Sequence, residues 1–510
     1  MNRRSWLPPF LLTALAGWLA ATRPVATAPP GAAAVIQVVP VPVDPAEQLL
    51  LASLQGLANR DRARLWIESR GMNDRVLAEL RAEAAELRRC ESVWEALDRF
   101  RPEIAGAVLT DTNGAAINVA TCLAGVLDAV ILDVSLTNRF RALGRPLLAD
   151  ARGREPLALL DRPDAGFARG WAAHQDPRKR LHLRDFAVAR RIFTFFEPGS
   201  DARVRTVARL GPGTRVLGWG RDEQDFVRDV SAGGGVVLPS DWSLNLSALQ
   251  HLTVPLSVPE RGPDPAPLGP SEVAVAFVVT DGDNLQFMGG GFVEAPGFWA
   301  SPHRGKFPVT WEIPPAFATL APRALAILYR TATPLDDFVA GPSGDGYWFP
   351  HHSPDRVAEF GRTAEALARA GVRLSTVLNS DGTPAETAAL LARPEVDGIL
   401  YKDYAPYHRC RGAVEWFHGK PVVAYRFLLW EKMTGADPDS VARALAALPR
   451  PGPRAGRLAL VNAHAWSFRD SGGPLGAIAR TVAALPGDVR VVTGSTLFRW
   501  LREEGPAPGP

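Results

Sequence analysis

From residue 272 onward, short apolar segments alternate regularly with amphipathic segments, and this alternation restricts the possible folds more than any other feature of the sequence. The apolar segments are typical of buried strands, and the amphipathic segments have the period of helices. Strands are predicted at 273–280, 309–311, 337–340, 374–379, 398–401, 422–427, 458–462 and 489–492. Helices are predicted between many of them, at 354–370, 383–392, 440–448 and 475–485. About eight such units in roughly 235 residues have the size of a (β/α) barrel, and a doubly wound open sheet is the alternative.

The first half of the chain also alternates between predicted strands and helices, which indicates parallel α/β layers. Strands are predicted at 34–41, 64–67, 107–110, 129–134 and 216–220, whereas the segment 147–197 is predicted to be helical. A Pro-rich stretch at 255–270 is typical of a linker between domains. We therefore expect N-terminal α/β domains at 34–140 and 141–254, the linker at 255–270, and a C-terminal barrel-like domain at 271–505.

The N-terminus has the pattern of an export signal. Arg3 and Arg4 precede an apolar run at 6–21, and small residues follow at 26–28. A basic start, an apolar run and a small-residue cleavage site are the parts of a signal peptide, and the two arginines resemble those of the twin-arginine type. We expect residues 1–28 to direct export to the periplasm or the exterior, with an uncleaved N-terminal anchor as the alternative.

Charge and cysteine content exclude several classes of function. Lys and Arg number 57 and Asp and Glu 54, so the net charge of +3 is small for 510 residues and indicates no polyanionic partner such as nucleic acid. The three cysteines, Cys90, Cys122 and Cys410, contain no CxxC pair, which argues against a disulfide framework and against structural zinc. No cofactor and no obligate protein partner is predicted.

Polar and aromatic residues follow most predicted strands of the C-terminal half. The active site of a parallel barrel lies at these carboxyl ends of the strands. Helix caps and Asx turns would account for some of the acids and amides, but not for the repeated Trp and Tyr. The predicted binding residues are Asp281, Asn284, Trp311, Asp345, Tyr347, Trp348, Asn379, Asp381, Lys402, Tyr404, Arg426, Trp430, Glu431, His464 and Trp466.

The third predicted strand end is the most unusual, because three aromatic residues and an acid lie between glycines in the loop 341–350. Such a loop either presents its aromatic rings to a sugar or folds them back into the core. Its sequence from Gly344 to Pro350, Gly-Asp-Gly-Tyr-Trp-Phe-Pro, resembles the signature of the GxGYxYP family of glycoside hydrolases, with Phe349 in place of the second Tyr. The stretches 54–60, 217–220, 240–247 and 281–284 are similar to other stretches of that family.

This resemblance implies a carbohydrate substrate and an acid–base pair of carboxylates. Hydrolysis of a glycosidic bond requires one protonated and one ionised carboxyl group. We predict that the pair comes from Asp283, Glu312 and Asp403, with the Trp311 ring raising the pKa of Glu312 and Lys402 keeping Asp403 ionised. The aromatic residues would stack on sugar rings, and Arg426, Asn379 and His464 would donate to hydroxyl groups.

Two other functions remain open on the sequence alone. A metal-dependent polysaccharide deacetylase would hold its ion with Asp281 or Asp283 and with His351, His352 or His464. A carbohydrate-binding protein without catalytic activity would use the same aromatic residues. In the N-terminal half, the segments 111–113 and 240–242 could complete the site, although ordinary loop and cap roles are the favoured interpretation for both.

Overall fold

A computed structural model describes residues 35–506, apart from residues 84, 113, 162–164, 260–264, 405, 406, 408, 451 and 452. The predicted export signal at 1–28 and Asn113 lie outside the described residues, so the export signal stays a prediction. Within the part of the chain that is described, no helix is both long and apolar enough to cross a membrane.

Between residues 35 and 259, the described part of the N-terminal half contains three small parallel sheets, each covered by helices. The first consists of β1 (Val35–Val39), β2 (Leu65–Ile67) and β3 (Glu86–Arg89), in the order β2-β1-β3, with α1 (Pro45–Ala58), α2 (Met72–Ala82) and α3 (Val93–Arg99). Helix α1 begins at Pro45, because Asp44 accepts a hydrogen bond from the backbone of Ala46 and Pro45 fits the first helical turn.

The second sheet contains β4 (Gly106–Thr110), β5 (Ala129–Asp133) and β6 (Leu147–Asp150), in the order β5-β4-β6. Its helices are α4 (Ala116–Leu127), α5 (Thr137–Arg141) and α6 (Leu157–Leu160). The predicted domain boundary between residues 140 and 141 falls at the end of α5, between two strands of this sheet.

The third sheet contains β7 (Trp171–His174), β8 (Phe193–Phe195), β9 (Thr214–Gly218) and β10 (Gly235–Leu238), in the order β10-β9-β7-β8. Its helices are α7 (Arg184–Arg190), α8 (Ser200–Leu210), α9 (Glu223–Ala232) and α10 (Leu246–Leu249). The prediction of a helical segment at 147–197 is therefore wrong, because it contains β6, β7 and β8. These strands are only three or four residues long, too short for a period-2 pattern to stand out among the many Arg and Asp residues.

The C-terminal half contains one large curled sheet. Its strands are β11 (Val273–Val279), β12 (Val309–Ile313), β13 (Asp336–Ala340), β14 (Leu374–Leu378), β15 (Gly398–Lys402), β16 (Val414–Phe417), β17 (Lys420–Ala424), β18 (Phe427–Leu429), β19 (Leu458–Ala463) and β20 (Val489–Val491). The helices are α11 (Leu285–Met288), α12 (Phe317–Leu320), α13 (Pro322–Arg330), α14 (Arg356–Ala370), α15 (Ala388–Leu391), α16 (Pro438–Ala446), α17 (Gly473–Ala483) and α18 (Gly494–Glu504). The sequence prediction of N-terminal α/β layers followed by a barrel-like domain is confirmed.

The sheet curls at the segment of β17 and β18, where the chain leaves one neighbouring strand and pairs with another. Strands β11 to β15 follow one another in parallel, β17 continues beside β15, and β18 pairs with β19, which returns to β11. At the junction, the backbone NH of Tyr425 donates to Tyr401 and that of Arg426 donates to Leu460. The predicted strand 422–427 is thus divided into two short strands. The first, β17, pairs with β15 at one end of the parallel strands, and the second, β18, pairs with β19 at the other end. Strand β16, which was not predicted, pairs antiparallel to β17 at the edge.

Candidate active site

The ends of β11, β12 and β13 approach one another closely because glycines, which have no side chain, lie where the backbones meet. A Cβ atom on Gly282 would lie 2.0 Å from the carbonyl carbon of Glu312, and one on Gly341 would lie 2.6 Å from the backbone nitrogen of Asp283. Asp281 has a φ angle of +65°, in the left-handed region. Together these features turn the chain directly after β11 and place Asp281 and Asp283 beside Glu312.

Four carboxyl groups meet at this point: Asp281, Asp283 and Glu312 from the barrel, and Glu223 from the start of α9 in the third N-terminal sheet. Burial raises the pKa of all four. The effect is largest for Asp283, whose pKa is raised well above its usual value by burial first and then by the negative charges of the other three acids. Of the four acids, Asp283 therefore has the pKa that its surroundings raise most.

Lys402, the last residue of β15, supplies a positive charge to this cluster. Its Nζ lies 3.7 Å from Oε1 of Glu312 and donates to Oδ1 of Asn462 at 3.4 Å. The Tyr425 hydroxyl also donates to Glu312, at 3.5 Å. The positive charge of Lys402 opposes the effect of burial and limits the rise in the pKa of both Asp281 and Glu312. Asp283 has no such cationic neighbour among its principal interactions.

A cavity of about 180 Å³ opens onto the acids. It is lined by Trp219, Glu223, Pro239, Asp281, Asp283, Asn284, Gln286, Tyr347 and Trp466. Glu312 and Lys402 are not in this lining, and both are almost completely buried. The cavity wall thus exposes three acids to a ligand, while the Glu312–Lys402 ion pair lies in the barrel interior behind them.

The signature loop joins the barrel to the third N-terminal sheet. The backbone of Tyr347 exchanges two hydrogen bonds with Val237 of β10, at 2.8 and 2.9 Å. Its hydroxyl donates to Oε1 of Glu223 at 2.9 Å, and its ring stacks on Trp219 with centroids 6.2 Å apart. Tyr347 therefore holds an acid from another domain at the cavity, in addition to forming part of the cavity wall.

The other residues of this loop do not reach the cavity, which corrects their predicted roles in binding. The Trp348 ring is fully buried against Phe360, 5.0 Å between centroids. Asp345 is buried and forms an ion pair with Arg215 of β9. The third sheet covers the loop, and most of the aromatic surface of the loop is buried. The signature residues therefore serve mainly to join the barrel to the third sheet.

Three further predictions are wrong because the side chains lie elsewhere. Trp311 points to the opposite face of β12 from Glu312, as successive residues of a strand do, and its indole NH donates to Asp336 at 2.8 Å. Asp403 pairs with Arg409 at 2.8 Å instead of with Lys402. The guanidinium of Arg426 donates to the carbonyl of Gly456, ahead of β19, away from the carboxyl ends of the strands.

Several predicted residues stabilise loops around the rim. Asn379 donates to Glu386 at 2.9 Å and accepts from the backbone of His351 at 2.8 Å, so it fixes a turn. The Glu431 carboxylate accepts from the backbone of Phe468 at 3.1 Å. Tyr404 packs against the buried Phe349, with centroids 6.0 Å apart. None of these three contributes to the cavity lining.

None of the histidines proposed as metal ligands lines the cavity of the acids. His351 contacts Glu386 at 3.0 Å and His352 contacts Asp381 at 3.2 Å, both on the surface. His464 stacks on Trp430 with centroids 3.9 Å apart, and burial lowers its pKa to about 4. Among the residues that the structure describes, no group of three or more His, Cys, Asp or Glu side chains is arranged to hold a metal ion.

Sequence reasoning found five members of the cavity wall, Asp281, Asp283, Asn284, Tyr347 and Trp466, and missed others. Glu223 and Trp219 were missed because they come from the N-terminal half. Local helix and strand patterns there do not indicate which residues contact the barrel. The stretch containing Trp219 was one of the family resemblances, and that was the available signal. Gln286 was missed because it follows the strand end within a short helix.

The fold and the site together define a multidomain parallel α/β protein with an acidic, largely buried site at the carboxyl ends of a curled barrel. Models of one protein family match most of the chain. The GxGYxYP_N second domain matches residues 104–175, the GxGYxYP third domain matches 170–251, and the GxGYxYP putative glycoside hydrolase C-terminal domain matches 271–502. The chain belongs to the GxGYxYP family.

A solved structure shares the fold. The crystal structure of a putative hydrolase from Bacteroides thetaiotaomicron VPI-5482 superimposes with a TM-score of 0.84 at 24% sequence identity, covering 93% of this chain and 96% of that chain. At this identity the likeness concerns the fold. No curated protein matches the chain significantly.

Proposed function

We propose that this protein is a glycoside hydrolase whose acid–base chemistry is performed at the cavity of Asp281, Asp283 and Glu223. The placement of Asp283, buried at the cavity wall among three other acids, is the observation that carries the proposal. A glycosidic oxygen must receive a proton as its bond breaks, and a carboxyl group can supply it near neutral pH only if its pKa is raised. Burial and three neighbouring acids raise the pKa of Asp283 in this way. Asp283 is the proposed general acid.

The second role, that of an ionised carboxylate, is assigned to Asp281. It lines the same cavity, and the positive charge of Lys402, a principal interaction that Asp283 lacks, limits the rise in pKa that burial causes. Glu312 contacts Lys402 more directly but is not exposed to the cavity. Its role is to hold Lys402 in position. Asp281 would act on the sugar or on a water molecule as nucleophile or base.

The lining of the cavity supports a carbohydrate substrate. Trp219 and Trp466 offer apolar ring surfaces, while Asn284 and Gln286 offer amide groups for hydroxyl groups. The volume of about 180 Å³ is below the range of about 300–1,000 Å³ that is usual for drug-sized ligands. It suits one small polar ring. The family model for residues 271–502 supports the same class of substrate.

The proposal is tested with Asp283→Asn and Asp281→Asn in the purified protein, assayed on a panel of 4-nitrophenyl glycosides and reduced oligosaccharides. General acid–base groups contribute typically about 10²–10⁴-fold, so each variant is expected to lose at least about 10²-fold in kcat. Asp403→Asn is the matched control, since Asp403 is an equally buried barrel aspartate that pairs with Arg409. It is expected to keep the wild-type rate.

Circular dichroism and thermal unfolding must first show that all three variants fold. Wild-type rates in both Asp283→Asn and Asp281→Asn would contradict the assignment. A large loss in Asp403→Asn alone would favour the carboxylates predicted from sequence. Tight retention of a glycan by the wild-type protein without turnover of any member of the panel would instead indicate a carbohydrate-binding protein.

A further inference from the structure

A second cavity, of about 160 Å³, adjoins the carboxylate cavity. Residues from three parts of the chain line it: Ser69, Arg70 and Asn73 from the first sheet region, the segment from Trp242 to Leu249, and barrel residues around Leu285 to Gly290 with Phe317 and Ala321. Gln286 lines both cavities. Unlike the first cavity, the second has no acidic residue among its described lining residues. The two cavities therefore differ in chemistry although they are neighbours.

Trp242 is the most unusual residue of this second cavity. Its residue surface is 54% exposed, although tryptophan is highly buried on average. Lys179 lies over the ring, with Nζ 4.5 Å from the centroid, and the His182 ring packs edge-on at 4.8 Å. Lys179 is itself held by an ion pair with Asp241. These contacts fix the ring in place while leaving much of its surface open.

The backbone around the second cavity is also fixed. The NH of Trp242 donates to the Gln286 side chain at 2.7 Å, so the side chain shared by the two cavities anchors the Trp242 loop. On the other wall, the backbone of Met72 donates to Gly290 at 2.9 Å, which ties the start of α2 to the barrel. A rigid aromatic surface in a preformed cavity loses little conformational entropy when it binds a ligand.

Arg70 provides a positive charge and several hydrogen-bond donors at this cavity. It is exposed, and no hydrogen bond or ion pair joins it to another described residue. An arginine carries five NH donors in one plane, enough to bind several hydroxyl oxygens at once. An exposed tryptophan face beside a free group of donors matches a sugar, whose ring has an apolar face and a periphery of hydroxyl groups.

We propose that the cavity of Trp242 and Arg70 binds a second sugar ring of the glycan whose reacting ring occupies the carboxylate cavity. This inference rests on the proposed function for the identity of the ligand, but not for the binding itself. The acidic cavity performs the chemistry, and the cavity of Trp242 and Arg70 selects substrates with at least two linked sugar units. The stretch 240–242, assigned an ordinary loop role on sequence, becomes part of the binding surface.

The test uses Asp283→Asn as a binding-competent background. This variant and the double variant Asp283→Asn/Trp242→Ala are compared on an array of mono- and oligosaccharides, and the Kd of each retained glycan is measured by titration calorimetry. Loss of a buried aromatic contact of this kind typically costs at least about tenfold in affinity. We expect the double variant to bind oligosaccharides at least about tenfold more weakly and monosaccharides equally well.

Two further variants separate a binding role from a structural one. Trp242→Phe is expected to recover part of the oligosaccharide affinity, because it restores an aromatic face. Val357→Ala removes an exposed apolar side chain of α14 that lines neither cavity, and it is expected to change no affinity. Arg70→Gln is expected to weaken oligosaccharide binding alone.

Equal oligosaccharide affinity in the presence and absence of Trp242 would overturn the inference, as would equal loss for mono- and oligosaccharides. Retention of no glycan by Asp283→Asn would overturn it as well. If the wild-type protein binds oligosaccharides through Trp242 but hydrolyses none, the second sugar site stands and the proposed hydrolase activity fails. The two proposals are thus separable.

Discussion

Two buried aspartates of the C-terminal domain have charged neighbours of opposite sign. One is Asp345 in the signature loop, and the other is Asp283 after β11. Both are almost inaccessible to solvent, and burial is the largest influence raising the pKa of each. Asp345 faces Arg215, whose positive charge opposes the effect of burial. Asp283 faces three acids, whose negative charges add to it.

The difference shows how to distinguish a structural acid from a functional one. A buried acid with a cationic partner holds two parts of the chain together, here the signature loop and β9. A buried acid among other acids destabilises the fold and is retained at sites where a proton must be held near neutral pH. The most recognisable sequence motif of the chain therefore contains the structural acid, and the less conspicuous strand end contains the functional one.

The largest stability effect is expected from breaking the Asp345 ion pair. Arg215→Met would leave Asp345 buried without its partner, and the loss of one member of a buried pair costs about 3–5 kcal/mol. The side chain of Arg215 is 24% exposed, so we expect the lower end, about 3 kcal/mol. The loss is measured as a lower midpoint of chemical unfolding.

The double variant Arg215→Met/Asp345→Asn is the control for this prediction. Removing both charges avoids the unpaired carboxylate, so most of the lost stability should return. If the double variant is as unstable as Arg215→Met, the ion pair is not the cause and packing of the Arg215 stem is.

The second prediction concerns stability as a function of pH. The pKa of Asp283 is higher in the folded than in the unfolded protein, so the folded state binds more protons between these two pKa values. The stability that this group contributes is complete below the unfolded pKa, about 3.9, and is lost as pH rises through the folded pKa. Each unit of raised pKa corresponds to about 1.4 kcal/mol.

We therefore expect the wild-type protein to lose stability between pH 5 and pH 8, and Asp283→Asn to lose less. Thermal unfolding midpoints at the two pH values measure the effect. Asp345→Asn is the comparison, because Arg215 limits the rise in the pKa of Asp345 and the variant should change the pH dependence less. A larger effect for Asp345→Asn would reverse the distinction drawn between the two acids.

The smallest effect is expected from the hydroxyl of Tyr347. Its hydrogen bond to Glu223 lowers the pKa of that acid, so Tyr347→Phe should raise it. The negative charge of Glu223 raises the pKa of Asp283. A Glu223 that is protonated more often should therefore lower the pKa of Asp283 and move the basic limb of the pH–rate profile to lower pH. We expect a loss of up to about tenfold in kcat/KM on the basic side, the effect of about one pKa unit.

Tyr329→Phe provides a matched loss of a buried hydroxyl, because Tyr329 donates to the carbonyl of Ala370 outside the site. It should change stability without moving the pH profile. An unshifted profile in Tyr347→Phe would show that this hydroxyl does not control the protonation of Glu223.

Local sequence patterns were sufficient for the strands of the C-terminal domain and for its barrel-like class. Segments such as 273–279 are continuously apolar, as buried parallel strands must be, and their order along the chain largely determines their order in the sheet. The short strands between 147 and 197 could not be recognised, because their pattern is brief and their partners are distant. The break between β17 and β18 depends on the closing of the sheet, which no local pattern encodes.

For the site, the sequence by itself determined that Asp281, Asp283 and Asn284 end a buried strand, and that polar groups gather at that edge. Only the tertiary structure decided which of them meet. The side chains of Trp311 and Asp403 have contacts of their own, whereas Glu312 and Lys402 share the barrel interior. Glu223 and Trp219 reach the cavity from 50 and 54 residues upstream of β11. The environment of Asp283 is the sum of charges from separate domains, and such a sum exists only once the domains have packed together.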